Sequence, residues 1–226
     1  MNRPRQLPLA LPQRAALGME DFLVADCNRA AVGWIDGWPE WPGPLLVLSG
    51  PEGCGKTHLA HVWQARTGAA VASATELPRI DPGAFEGPFA LVIEDLEAGL
   101  SPQAERNLFH LYNVAAEGKG HLLVTSRLPP AARRVSIPDL ASRLGAAPAA
   151  IIGPPDDPLL AAVIVKLMAD RQLKVAAEVV SYLVPRIERS FASVRRIVAA
   201  IDDAALAENR NITVAFVRQV LEDEGD

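Results

Sequence analysis

The sequence predicts an α/β protein, in which a parallel sheet with helices on both faces is followed by a small all-helical domain. Three observations support this prediction. Short continuous apolar runs, typical of strands buried on both faces, alternate with segments of helical spacing from residue 45 onwards. A glycine-rich loop separates the first apolar run from the first helical segment. After Pro154-Pro155 the helical pattern continues, but no strand signal of equal strength follows.

The individual elements follow from these patterns in chain order. Strands are predicted at residues 45–49, 89–95, 121–125 and 149–153. Helices are predicted to begin near Lys56, at Ser101-Pro102, at Asp157-Pro158, near Glu178, at Ser190 and at Thr213. Ser101, Ser190 and Thr213 are suitable caps, because a side-chain oxygen accepts hydrogen bonds from the first N–H groups of a helix. The predicted domains are a flexible tail (1–14), an α/β domain (15–155) and a helical lid (156–226).

Composition excludes several classes of protein. The net charge of −5 offers no general attraction to nucleic acid phosphates. The two cysteines do not form a disulfide framework, which suits the cytoplasm. The apolar run from Leu7 to Leu11 is too short for a signal peptide, and no 18 consecutive apolar residues occur, so no membrane span is expected.

The segment "GPEGCGKT", residues 50–57, has the G-x-x-x-x-G-K-[ST] pattern of a phosphate-binding loop. It follows a predicted strand and opens a predicted helix. In such loops backbone N–H groups surround the phosphates, Lys56 contacts the β and γ phosphates and Thr57 binds Mg²⁺. The pattern predicts an ADP or ATP site with Mg²⁺. Its predicted members are Gly50, Pro51, Glu52, Gly53, Cys54, Gly55, Lys56, Thr57 and His58.

The segment "LVIEDLE", residues 91–97, ends a predicted strand with the carboxylates Glu94 and Asp95. Carboxylates at that end of a buried strand lie beside the Mg²⁺ and the attacking water in nucleotide-hydrolysing proteins. The order Glu-Asp leaves open which acid binds the metal and which acts on the water.

Five segments, in this order, resemble the AAA+ module of the DnaA-like family, and among its members the regulatory inactivators of DnaA. They are "MEDFLVADCNRAA" (19–31), the phosphate loop, "LVIED", "HLLVTSRLPP" and "IPDLASRL". The resemblance covers nearly the whole chain. It implies an AAA+ fold with a helical lid, and it implies that Phe22, Leu23 and Val24 pack on the adenine ring.

The resemblance also implies roles for polar residues. Thr125 matches the sensor 1 position, although Arg127 stands where the family often has Asp. Arg143 in "LASRL" matches the arginine finger, whose planar fork neutralises charge on a γ-phosphate held by a neighbouring subunit. Arg195 matches sensor 2 on the lid, with Arg196 as the alternative by one position.

The N-terminal "QLPLAL" resembles the Q-L-x-L-x-L peptide by which bacterial proteins bind the β sliding clamp of DNA polymerase III. Gln6 would fill a polar subsite, and Leu7, Leu9 and Leu11 an apolar groove. The prolines keep such a tail extended, so that less entropy is lost on docking.

Together, these resemblances imply a regulator of replication initiation that binds ADP or ATP, docks on the clamp and stimulates hydrolysis of DnaA-bound ATP. Its partners would be the clamp and DnaA, with DNA contacted only through the clamp; a homodimer and weak ATPase activity of its own are compatible with the sequence. A DnaA-like initiator or helicase loader is the first alternative, disfavoured by the acidic charge and by the short chain after the lid. A stand-alone P-loop ATPase or small-molecule kinase is the second, and it leaves "LASRL" and "QLPLAL" unexplained.

Overall fold

A computed structural model describes residues 13–14, 22–85, 87–96, 100–129, 135–208 and 210–223. The strands of these residues are β1 (Gln13–Arg14), β2 (Phe22–Leu23), β3 (Leu45–Ser49), β4 (Ala70–Ser73), β5 (Ala90–Glu94), β6 (His121–Ser126) and β7 (Ala149–Ile151). Their α-helices are α1 (Arg29–Asp36), α2 (Lys56–Thr67), α3 (Pro102–Gly118), α4 (Pro138–Ala146), α5 (Asp157–Asp170), α6 (Ala177–Leu183), α7 (Phe191–Glu208) and α8 (Val214–Asp223). Short 3₁₀ segments lie at Leu77–Arg79, Pro82–Ala84 and Val184–Arg186.

Five strands form a parallel sheet in the order β4-β5-β6-β3-β7. The predicted strands at 45–49, 89–95, 121–125 and 149–153 are confirmed, with small differences at their ends. The sequence did not predict β4, because this edge strand has the small residues "AVAS" and exposes its first two. Since β3, β5 and β6 run in the same direction, their carboxyl ends meet at one edge of the sheet.

Helices cover both faces of this sheet. On one face, residues of α3 and α4 pack with Leu45, Val47, Leu91 and Ile93 in a single apolar cluster. On the other face, α2 packs against β5 and β6 with its buried Leu59, Ala60 and Trp63. Helix α3 begins as predicted, because Ser101 Oγ accepts a hydrogen bond from Ala104 N and Pro102 occupies the first helical position.

The described residues divide into two compact units. One unit comprises residues 26–153 with Phe22, and the other comprises 154–223 with residues 13–14 and 23–25. In the second unit, which we call the lid, α5 to α8 surround an apolar core that includes Leu183, Val194 and Phe216. The predicted caps are confirmed: Ser190 Oγ accepts from Ser193 N at 3.0 Å and Thr213 Oγ1 from Phe216 N at 3.3 Å. Within the part of the chain that is described, no helix is long and apolar enough to cross a membrane.

Candidate nucleotide-binding site

The glycine-rich loop connects β3 to α2 at the carboxyl edge of the sheet. Gly50 lies so close to the residue that follows β7 that a Cβ atom would be 2.5 Å from the Ile152 carbonyl oxygen. Its N–H donates to the Ser126 carbonyl at 3.0 Å, which fixes the loop to the end of β6. Gly55 precedes α2 with φ of 102°, a conformation that strongly favours glycine. The two glycines therefore meet geometric requirements of this loop.

Lys56 is buried in the loop, with 7% of its surface exposed. Its Nζ donates to the carbonyl oxygens of Gly50 at 2.8 Å and Pro51 at 2.9 Å. The N-terminus of α2 has no side-chain cap. A helix start with uncapped N–H groups and a buried ammonium attracts anions, so the local chemistry suits a phosphate group.

Cys54 occupies the interior of the loop and is buried. Burial raises the pKa of its thiol, and the Lys56 ammonium opposes this shift only in part. The side chain therefore stays protonated at neutral pH, which suits a packing residue better than a reactive thiolate.

Glu52 links the loop to the segment that follows β6. Its Oε2 lies 3.1 Å from an Nη atom of Arg127, and both side chains are largely exposed. Arg127 thus has a carboxylate partner inside the phosphate loop. The sequence pattern could not indicate this contact, since the two residues are distant in the chain.

The two acids at the end of β5 occupy different environments. Ile93 lies opposite Val124 in the register of β5 and β6. The next residues, Glu94 and Thr125, consequently point to the opposite face, against which α2 packs. One oxygen of Glu94, Oε1, is buried and has no hydrogen-bond partner among the described residues. Asp95 follows the strand with φ of 53°, and its N–H donates to Thr125 Oγ1 at 3.0 Å.

These residues fit a nucleotide-bound Mg²⁺ better than a metal held by protein alone. The described residues contain no group of three or more His, Cys, Asp or Glu side chains that could hold a metal ion. Mg²⁺ at nucleotide sites typically takes one or two protein ligands, with waters and phosphate oxygens completing the octahedron. The unpartnered Glu94 oxygen is suited to that role, and Thr57 lies exposed in the first turn of α2, followed by His58.

Arg143 lies on α4, within the same unit but outside this cluster of residues. Its side chain is exposed, and its guanidinium carbon lies 5.0 Å from the centre of the Tyr112 ring on α3. Two α3 residues contact α4 or the residues at its start, and neither was identified as functional from the sequence. They are Tyr112 and the buried Glu105, and both have the appearance of ordinary helix residues in the sequence.

The roles of the remaining predicted site residues are not tested by the structure. Arg195 and Arg196 are exposed on α7 of the lid, and the assignment of sensor 2 between them stays a prediction. Phe22 and Leu23 form β2, and Leu23 and Val24 are half-buried; their contact with adenine also stays a prediction. The predicted clamp-binding residues Gln6, Leu7, Leu9 and Leu11 lie outside the described residues.

Comparison with known proteins places this geometry in a family context. Residues 160–221 match the family model described as "Hda, lid domain". A protein of Haemophilus influenzae, itself named as uncharacterized, is 25% identical over 228 residues, which are 96% of this chain and 98% of the relative.

Solved structures of DnaA have the same fold. Domain III of DnaA from Thermotoga maritima matches with a TM-score of 0.72 and 17% identity, over 89% of this chain and 94% of that one. AMPPCP-bound DnaA from Aquifex aeolicus matches with a TM-score of 0.65 and 18% identity, over 80% of this chain and 63% of that one. This chain therefore spans less than two thirds of the Aquifex protein. The findings confirm the predicted fold class and the predicted resemblance to DnaA-like AAA+ proteins.

Proposed function

Since the chain has the fold of the DnaA AAA+ domain and its residues 160–221 match the Hda lid model, we propose that it regulates replication initiation by promoting ATP hydrolysis in DnaA. In this proposal the chain holds ADP or ATP as a structural ligand and presents Arg143 to ATP bound by DnaA. Hydrolysis then converts DnaA to its inactive form and prevents a second initiation. The protein acts in the cytoplasm and contacts DNA only through the sliding clamp.

Nucleotide binding is supported by the chemistry of the phosphate loop. The buried ammonium of Lys56 would exchange its bonds to the Gly50 and Pro51 carbonyls for phosphate oxygens, at little cost in ordering the side chain. Glu94 would be the metal-binding acid together with Thr57, because its unpartnered oxygen lies on the α2 face. Asp95 would act on the water, with its backbone held by Thr125. Bound Mg²⁺ would neutralise charge on the phosphates.

The single observation on which the regulatory role depends is the exposed position of Arg143. An arginine finger has to leave its own subunit and reach a γ-phosphate on another, so it needs a rigid element and an exposed guanidinium. Arg143 meets both conditions, because it lies on α4 and its exposed guanidinium lies over the ring of Tyr112. A solvated surface arginine would need neither.

Docking on the β sliding clamp completes the proposal. The tail residues Gln6, Leu7, Leu9 and Leu11 would occupy the groove of the clamp, which has repeated sites around its ring. Tethering raises the local concentration of Arg143 near DnaA on the same DNA without any new contact. Several copies of the regulator, including a homodimer, could dock at once.

The experiment measures single-turnover hydrolysis of ATP bound to DnaA, with the wild-type chain and with clamp loaded on DNA. We expect Arg143→Ala to abolish the stimulation, since arginine fingers contribute about 10³- to 10⁵-fold in related systems. The double variant Gln6→Ala/Leu11→Ala should lose stimulation when clamp is limiting and recover part of it at high protein concentration. Arg189→Ala is the matched control, because it removes an exposed arginine of the lid that pairs with Asp157 at 2.9 Å.

Four outcomes would contradict the proposal or one of its parts. Full stimulation by Arg143→Ala would show that the finger lies elsewhere. Steady ATP turnover without DnaA would favour a stand-alone P-loop ATPase. Salt-sensitive binding to DNA without clamp would favour the initiator or helicase-loader alternative. Unchanged clamp retention of the tail variant, with a lowered melting temperature, would assign the leucines to the core.

A further inference from the structure

Helix α4, on which Arg143 lies, begins without a cap of its own. Its N-cap residue is Ile137, whose side chain cannot accept a hydrogen bond, and Pro138 occupies the first helical position. Backbone N–H groups at such a start need a partner, because leaving them unpaired away from water costs free energy. Two N–H groups at this start, those of Ser136 and of the N-cap residue Ile137, have their partner on another helix.

Glu105 on α3 supplies this partner. Its Oε1 accepts from Ser136 N at 3.0 Å, and its Oε2 accepts from Ser136 N at 2.9 Å and from Ile137 N at 3.1 Å. The residue is 3% exposed, so these bonds form away from bulk water. Hydrogen bonds to a charged acceptor are stronger than neutral ones, and a negative charge is favourable at a helix N-terminus. Glu105 therefore anchors the start of α4 to α3.

A second contact joins the same two helices further along. Tyr112 follows Glu105 by seven residues on α3, which places both side chains on one face of the helix, two turns apart. The Tyr112 ring lies under the Arg143 guanidinium, with 5.0 Å between the guanidinium carbon and the ring centre. One face of α3 thus contacts both the start of α4 and the functional side chain on it.

We propose that Glu105 and Tyr112 are positioning residues for Arg143: the Glu105 carboxylate fixes α4, and the Tyr112 ring holds the guanidinium in its outward orientation. The inference rests on the proposed function, in which Arg143 acts on ATP held by DnaA. It adds that the finger is preorganised within its own chain before DnaA is met. Neither residue is among the predicted nucleotide-binding residues, so in this inference both act through Arg143.

The expected effects differ in size. A displacement of about 1 Å at a catalytic group can cost on the order of 100-fold in rate, so loss of the α4 anchor should be severe. A cation–π contact at an exposed site contributes about 0.5–1 kcal/mol, which corresponds to about 2- to 5-fold. Because the anchor acts on placement, the maximal stimulated rate should fall, whereas the concentration for half-maximal stimulation should change little.

The experiment uses the full chain and two readouts. The first is the NMR signal of the Arg143 side-chain Nε–H group, identified by its loss in Arg143→Lys and shifted by the ring current of Tyr112. The second is the maximal rate of DnaA-bound ATP hydrolysis on loaded clamp. Glu105→Gln keeps the size of the side chain but replaces one acceptor oxygen with an NH₂ group. We expect it to abolish the ring-current shift and to lower the maximal rate about 10- to 100-fold, with ADP affinity unchanged.

Tyr112 offers a matched pair of variants. Tyr112→Phe retains the ring and should behave as wild type in both readouts, whereas Tyr112→Leu should lose the shift and about 2- to 5-fold in rate. This pair tests the contact between Tyr112 and Arg143 even if Glu105→Gln fails to fold. The inference is overturned if Glu105→Gln and Tyr112→Leu keep the shift and the rate, or if Glu105→Gln lowers ADP affinity as much as it lowers the rate. A lost shift, combined with full stimulation by Arg143→Ala, would instead refute the proposed function and leave the positioning contacts standing.

Discussion

Both units contain helices that are capped by the side chain before them, as Ser101 caps α3, but α2 and α4 of the α/β unit begin in another way. In the lid, α5, α7 and α8 are capped by the residues that precede them, Asp156, Ser190 and Thr213. In the α/β unit, α2 and α4 have no side-chain cap of their own. The start of α2 belongs to the proposed phosphate site, and the start of α4 is bound by Glu105 from another helix.

The two units also differ in the number of polar side chains that they bury. Among the described residues of the lid, Ser193 is the one buried polar side chain, whereas the α/β unit buries seven, including Lys56, Glu105 and Thr125. Asn107, like Glu105, binds backbone groups of another segment from α3: its Nδ2 donates to the carbonyls of Leu77 and Ile80. Burying a polar group costs free energy unless the group is paired. We therefore infer that the buried polar side chains of the α/β unit hold its loops and functional groups in place. The lid depends mainly on apolar packing.

The largest expected effect tests this dependence in the lid. Phe216 is 1% exposed within the apolar core, so Phe216→Ala should lower the free energy of unfolding of the lid by about 3–5 kcal/mol. Hydrogen exchange of amides in α5 to α8 measures this value. Phe216→Leu is the control, because it retains most of the volume and should cost far less. A loss below about 1 kcal/mol for the alanine variant would mean that the lid relies on something other than its core.

An intermediate effect is expected for nucleotide affinity, which one lysine variant in each unit tests. Lys56→Ala removes the buried ammonium from the loop, and Lys166→Ala removes a half-buried lysine of the lid that pairs with Asp170 at 3.2 Å. Since a hydrogen bond to a charged group contributes about 1.5–3 kcal/mol, Lys56→Ala should weaken ADP and ATP binding about 10- to 100-fold. Lys166→Ala should leave it unchanged. Calorimetry that gives wild-type affinity for a folded Lys56→Ala chain would refute the phosphate-loop assignment.

The smallest expected effect concerns pH and the edge of the sheet opposite the proposed site. His121 begins β6 and lies half-buried between the rings of Trp38 and Trp41. Burial lowers its pKa below 6.5 in the folded chain, so the unfolded chain binds the proton more readily. Stability contributed by the neutral ring is therefore present above pH of about 6.5 and decreases as the pH falls through that value towards the folded pKa.

Urea unfolding between about pH 7.5 and 5 measures this dependence. His121→Gln should flatten the part of the pH profile that belongs to this residue. His110→Gln, at an exposed histidine of α3, should leave that part in place. An unchanged profile in His121→Gln would mean that another group causes the loss of stability.

Several parts of the fold could be predicted from local sequence alone. The apolar runs of β3, β5 and β6 have a composition typical of buried parallel strands, and the helix starts at Ser101, Ser190 and Thr213 have side chains that cap them locally. The glycine spacing predicted the phosphate loop because the loop needs glycine at defined positions, for a close approach at Gly50 and for a positive φ at Gly55. In contrast, β4 has no apolar run, since an edge strand need not be buried on both faces.

The sequence by itself determined the alternation of strands and helices, the local caps and the residue types of the proposed phosphate site, because each depends on interactions among neighbours in the chain. Only the tertiary structure decided which distant groups meet. It placed Glu94 and Thr125 on the face covered by α2, Arg127 beside Glu52, and Glu105 at the start of α4. These contacts join residues 30 or more positions apart, as for Glu105 and Ser136. Their formation depends on how the sheet orders its strands, and no spacing within one segment specifies that order.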